Sequence, residues 1–450
     1  MMNLEQTMPT NWLARGGAMG RIMGRTVLRQ WQLKWKQRRV SREHQAALIE
    51  QHHIETAEEI TRLMDDMKGV LMKAGQVLSF VDSGLPESAR ERLRGLQRNA
   101  TPMAWSLARG VIEAELCGDV SRHFKRIDEE PVAAASIGQV HHAVLHDGRE
   151  VAVKVQYPGV AEAIRGDLST VDALGRVLGL LRPGLDAHGF LEELRGLLLG
   201  ELDYRREGAD QAEFARIYND HPVIFIPPVV SELTTERVLV QAYVEGFGFY
   251  DFVEQATPRE RTLAGMAIHD FVLESFHRHL MFNGDPHPGN YLFAVDGRVA
   301  FLDFGCVRRF ERTTQQQICG LIDAVRLGQR ADFVAALTTL CGHPPRGDIS
   351  PLWRFFEHQF TPLLEDAPFR YTREWNALVR GREGLDELAA IGLPPELLSF
   401  SRITFGLNAL FADLDFEGNF HRVYQRYLDP DGGHPTGLAH LGVAVPEAFR

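Results

Sequence analysis

The segment from Asn283 to Gly305 constrains the fold of this chain more than any other. Asp285 precedes Asn290 by five positions, and Asn290 precedes Asp303, the first residue of an Asp-Phe-Gly triplet, by thirteen. A phosphoryl-transfer site of the protein-kinase type needs an Asp beside the attacking hydroxyl, an Asn on one metal ion and a second Asp on another. The spacing predicts such a site, with Asp285 catalytic and with Asn290 and Asp303 as ligands of Mg²⁺. The alternative is a hairpin that is merely rich in Asp, Asn and Pro.

Composition sets the outer bounds on the architecture. With 450 residues, of which 44% are hydrophobic and 24% charged, the chain can form two or three globular units with their own cores. Its four cysteines are scattered without a CxxC pair, which indicates a reducing compartment, and we expect the protein in the cytoplasm. No apolar run approaches the roughly 18 residues of a membrane-spanning helix, and we find no secretory signal, so an integral membrane protein is not expected.

The first 44 residues form a predicted basic amphipathic arm. No acid occurs between Glu5 and Glu43, but nine bases do, so the remainder of a chain with net charge −11 carries −20. Met19, Met23, Val27, Trp31 and Trp35 recur every four residues and form one helical stripe. This arm either meets an anionic membrane surface, which would attach the protein peripherally to the inner face of the membrane, or packs on the acidic body. Nucleic acid is not an expected partner, because no recognition motif accompanies the charge.

The remaining pattern predicts a bilobal α+β fold like that of the protein kinases. Helical periodicity over residues 45–98 gives way after Pro131 to a β-hairpin with a turn at residues 146–148. A helix is predicted over residues 188–218, strands over 223–226 and 237–244, and a mostly helical region after Gly246. The predicted domains are 1–44, the arm; 45–100, a helical extension; 101–245, a small lobe; 246–430, a helical lobe; and 431–450, a Gly/Pro-rich tail.

Lys154 ends a Val-Ala-Val-Lys strand, where a lysine would hold the α and β phosphates of ATP. Such a lysine needs an orienting carboxylate, and the predicted 188–218 helix offers Glu193, Glu201, Asp203 and Glu207. The hinge between the lobes is predicted at residues 241–246, with the backbone from Gln241 to Tyr243 receiving adenine.

Four motifs carry a resemblance to a known family. Ala133-Ala134-Ala135-Ser136 stands where a kinase has a Gly-rich loop, and Ile137-Gly138-Gln139-Val140 follows it. Together with Lys73-Ala74-Gly75-Gln76, Glu201-Leu202-Asp203-Tyr204 and Asp285-Pro286-His287-Pro288-Gly289-Asn290, this segment resembles the UbiB/AarF atypical kinase-like family over about residues 45–310.

The resemblance implies roles for individual residues and a field of metabolism. Lys73 and Gln76 of the KxGQ segment would fold over the active site and meet Glu201 and Asp203, and Glu207 would pair with Lys154. The residues implied to contact ATP or ADP are Ala134, Ala135, Ser136 and His287, in addition to Lys154, Gln76, Gln241 and Tyr243. The family is associated with ubiquinone or other isoprenoid-lipid metabolism, so such a lipid or its precursor is an implied partner. One departure is Asp210, where an Asn is usual. We also expect no C-terminal membrane anchor of the kind that some members have.

Two other functions remain open at this stage. The Gly284–Asn290 loop also resembles that of aminoglycoside and choline kinases, which would make the protein a small-molecule phosphotransferase. A nucleotide-gated lipid-binding pseudokinase is the third possibility, although Lys154, Asp285, Asn290 and Asp303 are all present. The phosphoryl acceptor and the oligomeric state are left open.

Overall fold

A computed structural model describes residues 103–135, 137–162, 164–165, 195–196, 199–294, 296–345, 348–379 and 395–428. The basic arm, the 45–100 extension and the tail therefore lie outside the described residues, as do the predicted site residues Lys73, Gln76 and Ser136. The described residues fall into two compact units, of which the first contains those up to 203 and 235–240, and the second contains 204–234 and those from 241 onward. Within this part of the chain, no helix combines the length and the apolarity that crossing a membrane requires.

The elements are numbered in chain order. The strands are β1 (Phe124–Ile127), β2 (Ala133–Ala134), β3 (Gly138–Leu145), β4 (Glu150–Gln156), β5 (Ile224–Phe225), β6 (Val238–Ala242), β7 (Gly246–Gly248), β8 (Met281–Asn283), β9 (Tyr291–Ala294), β10 (Val299–Phe301), β11 (Val307–Arg309), β12 (Phe369–Arg370) and β13 (Glu417–Gly418). The helices are α1 (Trp105–Glu115), α2 (Tyr204–Ile217), α3 (Phe249–Gln255), α4 (Pro258–His279), α5 (Arg312–Arg326), α6 (Arg330–Cys341), α7 (Ser350–Gln359), α8 (Thr361–Leu364), α9 (Arg373–Val379), α10 (Pro395–Asp413) and α11 (Phe420–Leu428).

The first unit is built on an antiparallel sheet with the order β1-β3-β4-β6, in which β2 also pairs with β3. The predicted hairpin is confirmed as β3 and β4, and Gly148 takes a φ of 91° at its turn, a conformation that glycine adopts without strain. Apolar side chains such as Ala143, Val153 and Val155 are completely buried. Helix α1 covers β4 and buries Ala108 and Ile112 in the same core.

The second unit contains most of the described helices, as predicted, together with short strands, of which the sequence pattern indicated only β5. One sheet has the order β5-β10-β9-β7, and β8 pairs with β11 in a separate ribbon. Its longest helix, α4, begins with a capping box between Thr257 and Glu260 and ends where Leu280 adopts the left-handed conformation. The core is largely aromatic, and the rings of Phe271 and Phe301 stack with centroids 4.0 Å apart.

The strands predicted over 223–226 and 237–244 are confirmed with shorter bounds, as β5 and β6. The predicted 188–218 helix is confirmed as α2 over Tyr204–Ile217, but residues 201–203 form a turn before it, so the placement of Glu201 and Asp203 on this helix was wrong. The mixture of sheets and helices confirms the predicted α+β class. The predicted domain boundaries stay predictions.

Candidate active site

Two adjacent loops of the second unit contain the predicted catalytic and metal-binding residues. The first loop joins β8 to β9 and contains Asp285 and Asn290, and the second joins β10 to β11 and contains Asp303. Because β8 pairs with β11 and β9 pairs with β10, the two loops begin and end side by side. The pairing therefore brings together three residues that are up to eighteen positions apart in the sequence.

Backbone hydrogen bonds join the two loops directly. The Gly284 N–H donates to the Cys306 carbonyl over 3.0 Å, and the Leu302 N–H donates to the Asn290 carbonyl over 3.0 Å. A Cβ at position 284 would lie 2.5 Å from the Cys306 oxygen, so only glycine allows this approach. The side chain of Asn283 adds a third connection, because its Nδ2 donates to the Asp303 carbonyl over 2.7 Å.

The side chains of the site are oriented by the loops that carry them. Asn290 Nδ2 donates to the Asp285 carbonyl over 2.9 Å, which turns the amide oxygen, the atom that binds cations, away from that backbone. Asp303 Oδ1 accepts the Gly305 N–H over 3.0 Å, and the Asp285 side chain is nearly buried. Asn290 and Asp303 offer the oxygen ligands that Mg²⁺ prefers, and two such protein ligands are typical where phosphates complete its coordination.

His287 lies in the first loop, and Tyr291 begins β9 directly after that loop. The Nδ1 atom of His287 accepts the Gly289 N–H over 3.0 Å, so the neutral ring carries its proton on Nε2. Burial raises the pKa of Tyr291 far above its usual range, and the negative charge of Asp285 adds to the shift. The tyrosine hydroxyl is therefore protonated at any physiological pH.

The first unit contains Lys154, which is half-buried on β4 opposite Val140. Two residues further on, the Gln156 Nε2 donates to the carbonyls of Leu202 and Glu236 over 3.1 and 3.2 Å. This buried amide holds the Glu201-Leu202-Asp203 segment beside the strand that carries the lysine. The structure thus brings Lys154 and this segment into one unit, whereas Glu207, the predicted partner of Lys154, belongs to the second unit, and the pairing stays a prediction.

The alanine-rich segment is a strand rather than an open loop. Ala133 and Ala134 form β2 and pair with Val140 and Gln139, and the Ala135 N–H donates to the Gly138 carbonyl over 2.8 Å. Ala134 and Ala135 retain exposed or half-exposed side chains on this folded-back edge. The segment is consequently fixed by its own backbone, as the absence of glycine predicts.

Gln139 has a structural role that the sequence analysis did not identify. Its Oε1 accepts the Met103 N–H over 2.9 Å, and its Nε2 donates to His141 Nε2 over 2.9 Å. His141 Nδ1 therefore carries the ring proton and donates it to the Asp128 carbonyl over 2.8 Å, and burial lowers the pKa of His141. Gln139 thus anchors the start of the described chain.

Helix α2 carries Glu207 and contacts the hinge and the Asp-Phe-Gly loop. The buried Gln211 Nε2 donates to the Pro227 carbonyl and to Gln241 Oε1, each over 2.6 Å. The Phe214 ring lies 5.0 Å from that of Phe304, the residue after Asp303. A polar residue inside an apolar strand or on the buried face of a helix is the sequence signal that could have identified Gln139, Gln156 and Gln211.

Among the described residues, no group of three or more His, Cys, Asp or Glu side chains is placed to hold a metal ion. The predicted ligand pair does not conflict with this finding, because it combines one carboxylate with one amide.

Comparison with known proteins agrees with the geometry. The family model of the ABC1 atypical kinase-like domain matches residues 95–336. The mitochondrial atypical kinase COQ8B of Rattus norvegicus is 34% identical over 277 residues, which are 61% of this chain and 52% of that protein. The chloroplastic protein ACTIVITY OF BC1 COMPLEX KINASE 1 of Arabidopsis thaliana is 30% identical over 358 residues, 72% of this chain and 51% of that one. This chain thus spans about half the length of these two relatives.

A solved structure is similar over most of the chain. The protein Rv3197 of Mycobacterium tuberculosis, determined in complex with erythromycin, matches with a TM-score of 0.62 and 29% identity over 87% of this chain and 100% of that one. This likeness and the family model confirm the kinase-like fold and the resemblance that the four motifs indicated. The chain belongs to the ABC1 atypical kinase-like family.

Proposed function

We propose that this protein binds Mg²⁺-ATP and either hydrolyses it or transfers its γ-phosphoryl group to a small acceptor. The observation that carries the proposal is the pair of hydrogen-bonded loops in which Asn290 donates to the Asp285 carbonyl and Asn283 donates to the Asp303 carbonyl. These bonds bring an acid and two oxygen ligands together without using the amide oxygen of Asn290. Positioning and electrostatic stabilisation are the main contributions that a protein makes to phosphoryl transfer.

Each residue has a distinct part in this proposal. Asn290 and Asp303 hold Mg²⁺, which supplies positive charge to the phosphates when bound. Lys154, oriented by Glu207, holds the α and β phosphates, and Asp285 orients the attacking hydroxyl or water.

His287 and the hinge complete the contacts with nucleotide. With its proton on Nε2, His287 is a donor to a phosphate oxygen. At the hinge, the Ala242 N–H already donates to the Pro228 carbonyl over 2.8 Å. Successive residues of an extended chain point their backbone groups to opposite sides, so the Gln241 carbonyl and the Tyr243 N–H are the groups we assign to adenine.

The acceptor is proposed to be a small lipid-like molecule rather than a protein. The KxGQ segment with Lys73 and Gln76 is implied to cover the site where a protein substrate would dock, and Ala134, Ala135 and Ser136 to close over the phosphates. Association of the family with ubiquinone supports an isoprenoid precursor as the acceptor, or as the lipid whose extraction from a membrane ATP hydrolysis drives. Peripheral attachment through the basic arm would bring the site to that membrane.

The first experiment measures nucleotide affinity. Isothermal calorimetry with Mg²⁺-ATP compares the wild type with Asp303→Asn and with Asp296→Asn, a matched control whose carboxylate bonds the exposed Arg298 in the β9–β10 turn. We expect Asp303→Asn to lose about 100-fold in affinity or more, since changes even outside the ligands of a metal cost about 10–100-fold, and Asp296→Asn to match the wild type. Equal affinities in all three proteins, or no Mg²⁺-dependent binding by the wild type, would refute the proposal.

The second experiment measures turnover. ATP hydrolysis is followed with and without anionic liposomes and phenolic isoprenoid-precursor analogues. Asp285→Asn should lower kcat by about 10²–10⁴-fold, the range of general acid–base catalysis, while leaving Mg²⁺-ATP affinity close to that of the wild type. Binding without turnover under every condition would instead indicate a nucleotide-gated pseudokinase.

A second candidate function is phosphorylation of a hydroxyl-bearing small molecule. The observation in its favour is the likeness to Rv3197, whose structure was determined with erythromycin. Mass spectrometry after incubation with Mg²⁺-ATP and erythromycin tests it, because a phosphorylated product would favour this candidate over the isoprenoid acceptor.

A further inference from the structure

Arg309, the last residue of β11, forms two ion pairs with helix α2. Its Nη1 lies 2.8 Å from Asp210 Oδ1, and its Nη2 lies 2.5 Å from Glu213 Oε2. The two acids are three positions apart and share one face of the helix. A planar guanidinium can bind two such acceptors at once, which fixes direction as well as distance.

The two ends of this connection carry residues of the proposed active site. On one side, β11 follows the Asp303 loop directly and is paired with β8, with Arg309 opposite Met281. On the other side, Glu207 lies one helical turn before Asp210 on α2 and is 2% exposed. Arg309 therefore connects the strand after the proposed metal-binding loop to the helix that carries Glu207.

Gln211 and Phe214 make further, uncharged contacts from the same helix, including a bond to the Pro227 carbonyl and a ring contact with Phe271. Gln211 donates to Gln241 Oε1, and the Phe214 ring lies against that of Phe304. These contacts fix where α2 lies, and a rotation of the helix about its axis would disturb them. The ion pairs of Arg309 lie on the neighbouring face and oppose that rotation.

The exposure of the partners shows why the arginine matters. The Asp210 side chain is 9% exposed, whereas that of Arg309 is 51% exposed. Arg206 is more distant, with its Nε 4.0 Å from Asp210 Oδ2. Removal of Arg309 would leave a buried carboxylate without its close cation, and a buried uncompensated charge drives a larger rearrangement than the loss of a surface pair. The helix can relieve it by turning Asp210 toward water, which turns Glu207 as well.

We propose that Arg309 is a positioning residue that fixes the rotation of α2 relative to the Asp303 loop and thereby fixes the orientation of Glu207 on that helix. The inference rests on the proposed function, because the orientation of Glu207 affects a measured quantity only if the site binds Mg²⁺-nucleotide. It adds to that function a residue that lies outside the nucleotide site and on which the affinity for Mg²⁺-ATP nevertheless depends.

The test is a double-mutant cycle between Arg309→Met and Glu207→Gln, with Mg²⁺-ATP affinity as the readout. Arg309→Lys tests whether charge alone suffices. Arg422→Met is the matched control, since Arg422 also binds one surface acid, Asp366, through two nitrogens, at 2.6 and 3.1 Å. Affinities are measured at a temperature where every variant is folded by circular dichroism.

If Arg309 acts through Glu207, Arg309→Met weakens Mg²⁺-ATP binding about 10-fold in the otherwise wild-type protein, within the range known for coupled residues. In the Glu207→Gln protein the same change has less than about a 2-fold effect, because the orientation it disturbs no longer matters. Arg309→Lys falls between, and Arg422→Met has no effect. The inference would be overturned if Arg309→Met weakened Mg²⁺-ATP binding by the same factor in both proteins, or if it caused no loss of affinity in the otherwise wild-type protein.

A measurement without nucleotide separates this inference from the proposed function. Hydrogen exchange of the α2 amides is compared between Arg309→Met and Arg422→Met. Should the wild type bind no Mg²⁺-ATP, the proposed function fails, and faster exchange in Arg309→Met alone would still support the hold of Arg309 on the helix. Equal exchange in the two variants would overturn that hold as well.

Discussion

Gly138→Ala is expected to destabilise the first unit, although it adds a single methyl group. A Cβ at position 138 would lie 2.2 Å from the Val155 carbonyl oxygen, 2.9 Å from its carbonyl carbon and 3.2 Å from Gln156 Cα. All three atoms belong to the backbone of β4, which pairs with β3 at this point, so no side chain can move aside. The strands must separate at the end of the hairpin.

The cost can be worked from two contributions. Relieving a steric overlap in a packed region costs about 1–3 kcal/mol. Separation of the strands also strains the bond from the Tyr157 N–H to the Ile137 carbonyl, now 2.9 Å long, and a lost hydrogen bond costs about 1 kcal/mol. We therefore expect Gly138→Ala to lower the free energy of unfolding by about 2–4 kcal/mol. Because Lys154 precedes Val155, Mg²⁺-ATP affinity should fall as well.

Gly110→Ala is the matched control in the same unit. Gly110 lies on an exposed part of α1, and a Cβ there would meet nothing within 4 Å. Alanine in place of a helical glycine should therefore raise the free energy of unfolding by up to about 1 kcal/mol. Urea unfolding followed by circular dichroism measures both variants. The reasoning is refuted if the two substitutions change stability in the same direction, or if Gly138→Ala costs less than about 0.5 kcal/mol, the usual range of surface substitutions.

Three more predictions concern buried polar groups. Gln211→Met removes the donor of the bonds to Gln241 Oε1 and the Pro227 carbonyl, and urea unfolding should show that the free energy of unfolding falls by about 2–4 kcal/mol. The double variant Gln211→Met/Gln241→Met should lose less stability than the sum of the two single variants. Strict additivity would contradict the pairing. Burial lowers the pKa of His277 from 6.5 to about 4. As the pH falls, His277 is protonated in the unfolded chain at a higher pH than in the folded protein. The stability that this group contributes above pH 6.5 is therefore lost between about pH 6.5 and 4. Unfolding curves at pH 7 and 5 should differ by about 2 kcal/mol from this group, and His277→Gln should remove that part, which an unchanged slope would disprove. Burial raises the pKa of Asp210 above 3.8 in spite of Arg309, so the native state binds this proton more tightly and stability falls as pH rises through the raised pKa. Asp210→Asn keeps a hydrogen-bond acceptor for Arg309, so the free energy of unfolding at pH 7, measured by thermal unfolding, should be equal to that of the wild type or higher. A decrease of more than about 1 kcal/mol would show that the negative charge itself is needed.

The proposed catalytic residues could be predicted from the sequence because phosphoryl transfer of the protein-kinase type demands fixed residue types at fixed spacing. The proposed site is lost if Asp285, Asn290 or Asp303 is exchanged for another residue, so its pattern can be recognised directly in the sequence. The β3–β4 hairpin was accessible for another reason: alternating apolar residues and the turn at Gly148 both indicate it. In both cases the side chains determine the structure, and the sequence specifies the side chains directly.

Structure that depends on backbone pairing was harder to predict from the sequence. Strand β2 consists of two alanines that pair through their amides, and nothing in those side chains distinguishes a strand from the loop of a kinase. The strands β8 and β11 are three residues each, too short for a period of two to be recognised. Asn283 was read as part of the loop motif, but its bond to the Asp303 carbonyl depends on that pairing, which is formed by residues more than twenty positions apart.

The residues that hold the site together share one chemical property, which bears on how it can work. Gln156, Gln211 and Asn283 are neutral amides, and each donates to a backbone carbonyl. An arginine or lysine could satisfy the same carbonyls, but its charge would attract the nearby carboxylates and compete with Mg²⁺ for them. Neutral donors fix the backbone without that competition. The guanidinium of Arg309, which holds α2, binds Asp210 and Glu213, neither of which has a part in the proposed chemistry. This division between neutral supports and charged reactants is what a site that must bind a metal-nucleotide complex requires, and it makes Asn283→Lys a more damaging change for Mg²⁺-ATP affinity than its preserved hydrogen bond would suggest.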